Sequence, residues 1–280
     1  MNISGDFTIF VITRDHQNFI CDNLASILRE VGESSNVLLI DTGSRDETYS
    51  VAKRFLKENE MRHEIFQLPR GTTSLQALEF ATHHCDSKYL IGISGDDAFG
   101  SDYKAGMREY HSLNETGHHV GFFDKIICNS KLSPISKVKS SWADNSSKNR
   151  RLLEYSNPGN SAGVILPWQY LKEIGIFTNS PEILVEDYWL WLALVDKCLF
   201  HNISIGSVLY RKHSSNLTLE SNNRDYIFSL GFCSGYALNR KHRLLGPLRN
   251  LLLILRLSRH VSIMQIRFFL KGWICGKNYI

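Results

Sequence analysis

The chain has 280 residues, 43% of them hydrophobic and 21% charged, a composition that excludes disordered and fibrous classes and fits one large globular domain or two small ones. Its net charge of +4 conceals an asymmetry: from Tyr226 to Ile280 there are nine Lys or Arg and no Asp or Glu, leaving 23 basic against 28 acidic residues before that point. The body is thus about −5 and the tail +9, a split that directs the tail, not the body, towards an anionic surface. Six cysteines at 21, 85, 128, 198, 233 and 275 form no Cys-x-x-Cys pair, and they read as reduced core residues of a cytosolic protein. The opening "MNISGDFTIFVIT" has no basic n-region and only a short apolar run, so it is expected to be a strand rather than a signal peptide.

In chain order, "DFTIFVIT" is a β-branched and aromatic run, and Phe19, Ile20, Leu24, Ile27, Leu28 and Val31 follow at helical spacing up to Gly32. "NVLLID" and "SRDETYSVAKRFLKEN" repeat this strand-helix unit, with Asp46 opening the second helix. "HEIFQLP", "TTSLQALEFATHHC" and "KYLIGIS" make a third helix between two more strands. Strands alternating with helices predict right-handed β-α-β crossovers and an α/β fold with a mainly parallel sheet. Beyond Cys128 the pattern loosens into "NSKLSPISKVKSSWADNSSKNRR", read either as a loop over a site or as a linker. "SAGVILP" is a further strand before a short helix, and "PEILVEDYWLWLALVDKC" is a helix with Glu186 and Asp187 at its N-terminal end, where carboxylates commonly serve the helix dipole.

Ligands of such sheets bind at the carboxyl ends of the strands. Thr13-Arg14, Asp41-Thr42-Gly43-Ser44 and Ser94-Gly95-Asp96-Asp97 all fall there. Two adjacent carboxylates at the end of a buried strand repel one another, so a cation, foremost a divalent metal, or a set of hydroxyl donors is expected against Asp96 and Asp97. A solvated turn is the plain alternative.

The order of "FVITRDHQNFICDNLASIL", "LLIDTGSRDET", "KYLIGISGDD", "VEDYWLWLAL" and "YRKHSSNLT" resembles a family 2 glycosyltransferase of the GT-A fold, inverting and of the bacterial envelope-polysaccharide type, over about residues 6 to 218. The resemblance implies a mixed, mainly parallel Rossmann-like sheet flanked by helices. It divides the chain into a glycosyltransferase domain at 1–220 and a basic amphipathic helical tail at 221–280. It implies Asp97 as ligand of a divalent metal (Mn or Mg), with Asp96 on the donor's ribose or the same metal. Asp41 resembles the carboxylate that accepts the imide N–H of a pyrimidine, and Thr13 lies by analogy near the same base. Asp187 matches the catalytic base, which takes the proton of the attacking acceptor hydroxyl. His213 resembles a residue closing over the diphosphate or its metal, and Arg211 adds positive charge there. Three departures stand out: Ser94 where the family usually has Asp, Thr42 where a second Asp is frequent, and Leu78-Glu79 in place of Arg-Asn.

In the tail, Arg249, Arg256, His260, Arg267 and Lys271 are spaced 7, 4, 7 and 4 apart, within about 60° of arc on a helix turning about 100° per residue. The segment carries too much charge to span a bilayer. It either lies in a membrane interface with its cations towards headgroups, or docks on the protein or on a second copy. Nucleic acid is not an expected partner, since aromatic platforms are lacking and the body is acidic.

The expected function is therefore transfer of a sugar from a nucleoside-diphosphate sugar, a UDP-sugar first among them, to a saccharide or lipid-linked acceptor in surface polysaccharide synthesis. The expected location is cytoplasmic, with peripheral contact at the inner face of the membrane. A nucleotidyltransferase would need a Gly-rich loop where "TRDHQN" stands. A catalytically degenerate scaffold that binds donor or membrane is the non-enzymatic alternative, motivated by Ser94 and Leu78.

Overall fold

Strand β1 (Phe7–Thr13) lies at the centre of the fold because every residue in it but Ile12 is buried, so both of its faces must be covered. Phe7, Ile9 and Val11 alternate onto one face. They pack in one core with Ile20, Leu24 and Ile27 of α1 (Ile20–Glu30), each fully buried aliphatic contributing roughly 1.5–3 kcal/mol. The computed structural model describes residues 4–32, 36–113, 118–153, 157, 161–178, 181–216, 224–239 and 263–277. They fall into two compact units, residues 1–144, 160–182 and 197–213 in the first, and 145–159, 183–196 and 214–280 in the second.

The first unit is a nine-stranded mixed sheet. Strands β2 (Asn36–Asp41), β3 (His63–Gln67) and β4 (Tyr89–Ser94) join β1 in the parallel order β3-β2-β1-β4. The crossovers carry α1, α2 (Thr48–Glu58) and α3 (Ser74–Ala81). Asp46 accepts from the Thr48 backbone N–H at 3.0 Å at the start of α2, and Thr73 and Gln76 cap α3 reciprocally. The sheet continues through β5 (Ala98–Phe99), α4 (Tyr103–Leu113), β6 (His119–Cys128), β7 (Pro134–Val138), β8 (Val164–Leu166), α6 (Trp168–Glu173) and β9 (Leu199–Arg211). β8 is antiparallel to β4 and β6, whereas β9 is parallel to β6.

The segment after Cys128 is not a loop or linker. Residues 134–138 form β7, antiparallel to β6, and α5 (Ser146–Leu153) follows in the second unit. All five residues of β7 are exposed, so the strand is held by backbone pairing without a buried face, and no apolar alternation announces it. Asn129 builds the connecting turn, its side-chain oxygen accepting from the backbone N–H of Lys131 at 2.9 Å and Ser133 at 3.0 Å.

The second unit holds α5, α7 (Glu186–Leu194), α8 (Arg224–Asn239) and α9 (Ile263–Lys277). Helices α8 and α9 meet backbone to backbone. A Cβ added to Gly231 would come within 2.1 Å of the Phe269 carbonyl oxygen, and one added to Gly272 within 2.0 Å of that of Phe228. Of the cationic stripe read in the tail, Arg249, Arg256 and His260 lie outside the described residues. Arg267 and Lys271 are exposed, together with Leu270 and Ile274. No cysteine is paired; Cys85, Cys128, Cys198 and Cys233 are buried, as core residues should be, while Cys21 and Cys275 are exposed.

Candidate active site

Strand register aligns the polar strand ends. Thr13 pairs with Asp41 across β1 and β2, and Ile12 with Ser94 across β1 and β4. The crossover from β1 leads to β2 on one side while β4 returns on the other, so the rim between β1 and β4 is the switch point where α/β sheets bind ligands.

At that rim Asp96 is buried and its Oδ2 lies 2.9 Å from His213 Nε2 and 3.8 Å from His16 Nε2. The His16, Asp96 and His213 ligand atoms all lie within 4.8 Å of one another. Burial pushes the Asp96 carboxyl up, but the His213 bond, the nearby His16 and a bond from Ser94 outweigh it and hold it at about 2. Burial lowers His16 against the pull of Asp96, a shift towards the neutral form that a metal ligand needs. Thr13 Oγ1 sits 3.3 Å from His16 Nδ1. An Nδ1–H donated to that oxygen leaves the Nε2 lone pair turned towards Asp96. Two imidazoles and one carboxylate are a mixed nitrogen and oxygen donor set, which suits manganese better than magnesium, a cation that prefers oxygen.

Asp97 stands outside this trio. It is buried, its Oδ1 accepts from the Arg211 backbone N–H at 2.9 Å, and burial together with the charge of Asp96 pushes its carboxyl well up. Arg211 is there because β5 and β9 are antiparallel with Ala98 opposite Leu209, which brings the end of β9 back to the Asp96-Asp97 turn. Its guanidinium is 1% exposed and each nitrogen donates inward: Nε to the Asp96 carbonyl at 2.6 Å, Nη1 to the Ser130 carbonyl at 2.6 Å, and Nη2 to Asp22 Oδ2 at 3.0 Å. It also lies over the Phe19 ring at 4.7 Å, and the His213 ring packs on Phe19 at 4.5 Å. The sequence marks Arg211 as a source of charge; the structure makes it the brace of the turn.

Asp41, at the end of β2, is fully buried. Its Oδ1 accepts from the backbone N–H of Gly43 at 2.8 Å and Ser44 at 2.7 Å, a turn that needs Gly43 at φ 84 with Arg70 packed against its Cα. Its Oδ2 is buried and has no hydrogen-bond partner among the described residues. An orphaned buried carboxylate oxygen is costly, and it is the signature of a missing donor.

In the second unit, Glu186 and Asp187 open α7. Asp187 is half-buried and its Oδ1 accepts from the Tyr188 backbone N–H at 2.7 Å. The residue at the α7 N-cap, Val185, makes no side-chain cap. The preceding turn is instead secured by α8, Leu184 N–H donating to Ser229 Oγ at 2.9 Å.

His16, Asp22, Phe19 and Ser229 are absent from the sequence-derived site. His16 had a usable signal, since the turn after the central strand of a parallel sheet lies beside the switch point. Asp22 and Ser229 act through contacts distant in sequence and gave none.

A family model described as glycosyl transferase family 2 matches residues 8–166. No curated protein sequence matches the chain. Among solved structures, it is similar to S. aureus TarS 1-349 in complex with UDP-GlcNAc, at 15% identity, 97% of this chain on 79% of that one, and a TM-score of 0.65. It is similar also to GalNAc-T7 with UDP, GalNAc and Mn2+ (12%, 87% on 53%, TM-score 0.58). A third is the mannosyltransferase PcManGT from Pyrobaculum calidifontis with GDP-Man and Mn2+ (12%, 97% on 72%, TM-score 0.54). Likeness at these identities establishes the architecture, the GT-A fold.

Proposed function

The chain belongs to glycosyl transferase family 2, and from that premise we propose that it is an inverting glycosyltransferase using a nucleoside-diphosphate sugar, with a UDP-sugar as donor. One observation carries the reading. A single strand-end rim holds both the orphaned carboxylate oxygen of Asp41 and the Asp96, His213, His16 cluster, an acceptor for a base N–H and a seat for a cation at the diphosphate. Solved structures of this fold with UDP and Mn2+ or with GDP-Man and Mn2+ support it.

In this reading Asp41 Oδ2 accepts the imide N–H of uracil, while its Oδ1 stays on the Gly43 and Ser44 amides. Asp96, His213 and His16 would hold the metal, with Thr13 fixing the His16 tautomer. A divalent ion bound by them would supply positive charge against the negative charge building on the departing nucleoside diphosphate. Asp97 and Arg211 keep the Asp96 turn rigid. That assigns Asp97 a place behind the metal, where the family resemblance alone would make it a ligand. Asp187 takes the proton of the acceptor hydroxyl as it attacks the anomeric carbon from the face opposite the leaving group, which inverts the centre.

The acceptor we propose is a saccharide or lipid-linked saccharide of a surface polysaccharide, met at the cytoplasmic face of a membrane. The support is the +9 tail and the outer face of α9, where Arg267, Leu270, Lys271 and Ile274 recur at i, i+3, i+4 and i+7 and are all exposed. Among the described residues no helix is long and apolar enough to cross a membrane, so this contact would be peripheral.

A thermal-shift screen of nucleoside diphosphates with and without manganese tests the donor reading. UDP with manganese is expected to raise the melting temperature most. A response to no nucleotide would overturn the reading, and binding without any turnover would favour the scaffold instead.

A further inference from the structure

Resting on the reading of Asp187 as the base, we propose that α8 is the positioning element of that base: Ser229 and Cys233, one turn apart on one face, grip the backbone that leads into Asp187.

Ser229 is 1% exposed and Cys233 is fully buried. At i and i+4 they point the same way from α8. Ser229 Oγ accepts the Leu184 N–H at 2.9 Å, and Cys233 Sγ lies 4.0 Å from the Val185 carbonyl, as a thiol donor. Two successive residues ahead of Glu186 and Asp187 are thus tied to one helix. The two ties fix the entry into α7 from outside, since its N-cap residue Val185 makes no side-chain cap of its own. Burial, with the Asp187 and Glu186 carboxylates nearby, pushes the Cys233 thiol well up, so it remains a neutral donor.

The grip is as firm as its support. α8 is backed by α9 through the Gly231–Phe269 and Gly272–Phe228 approaches, too close for any Cβ. Helices α8 and α9, which fall in the segment the sequence sets apart as a tail (221–280), therefore reach the catalytic carboxylate through two layers: α9 fixes α8, and α8 fixes the turn before Asp187.

The test uses the full chain with manganese and an equimolar mixture of UDP-glucose, UDP-galactose and UDP-GlcNAc, water serving as acceptor, with hydrogen exchange of residues 183–188 read in parallel. Ser229→Ala is expected to lower kcat for UDP release about tenfold, since a misaimed catalytic group is penalised steeply, and to speed exchange at 183–188. UDP affinity should not change. Ser229→Thr, which keeps the oxygen, should recover both readouts. Cys233→Ala should lower kcat two- to threefold, and serves as the second probe if Ser229→Ala does not fold. Unaltered exchange at 183–188, or a kcat unaltered while exchange rises, overturns the proposal. Failure of the base reading looks different: Asp187→Asn would retain UDP release. If the wild-type chain releases no UDP from the mixture, the exchange arm alone decides whether α8 grips the turn.

Discussion

Two carboxylate sites stand on the same rim, and they are built in opposite ways. The Asp96-Asp97 turn is crowded: two imidazoles, a buried guanidinium, an Asn23 amide and an aromatic ring surround it. Asp41 is spare, with two backbone amides on one oxygen and, among the described residues, nothing on the other. The crowded site has too much negative charge to stand alone and gathers two imidazoles about one carboxylate, a donor set of the kind that binds a dication. The spare site needs only one donor, which is what reading a base requires. The difference teaches that the same residue type at equivalent strand ends takes its role from its neighbours.

The strongest way to break this contrast is to remove the brace of the crowded site. Arg211→Met strips the donors from the Asp96 and Ser130 carbonyls and should cost about 3–5 kcal/mol of stability, measured by chemical denaturation. A loss under about 1 kcal/mol would mean the turn stands without it. Next, Asp96→Asn should lower kcat/KM for UDP release on the order of 10²–10³-fold; steady-state kinetics across a manganese titration would reveal it. For the spare site, Asp41→Asn should weaken UDP about 10- to 100-fold, or about 1–3 kcal/mol. That factor should be the same with and without manganese, whereas the Asp96 effect should appear only with it. The smallest effect is expected at His16→Ala, about a tenfold loss of manganese affinity with nucleotide affinity in the absence of metal untouched. Equal metal dependence at Asp41 and Asp96 would dissolve the distinction between the sites.

Half of this architecture was legible before any coordinates. β1 to β4 and the three helices between them announce themselves by period, because a parallel sheet buried on both faces must be nearly all apolar. The positions of Asp41, Asp96 and Asp97 followed, since strand ends are where such sheets place ligands. β7 was not legible: a fully exposed edge strand has no apolar alternation to betray it. His16 lay in view between Thr13 and Phe19, but its value depends on meeting His213 from the far end of β9, a contact that no local pattern encodes. The burial of Arg211 was not legible either, because it comes from the antiparallel pairing of β5 with β9, distant in sequence. The dependence of the α7 turn on Ser229 is longer in reach still, joining positions 45 residues apart.

The central claim is that a cation held by Asp96, with His213 and His16, is what makes this rim bind a nucleoside diphosphate. Calorimetric titration of UDP into the wild-type chain and into Asp96→Asn, each with and without manganese, tests it directly. The account predicts that manganese tightens UDP binding to the wild-type chain by tenfold or more and does nothing for Asp96→Asn, while the two proteins bind UDP alike when metal is absent. Manganese-enhanced binding that survives in Asp96→Asn would contradict it.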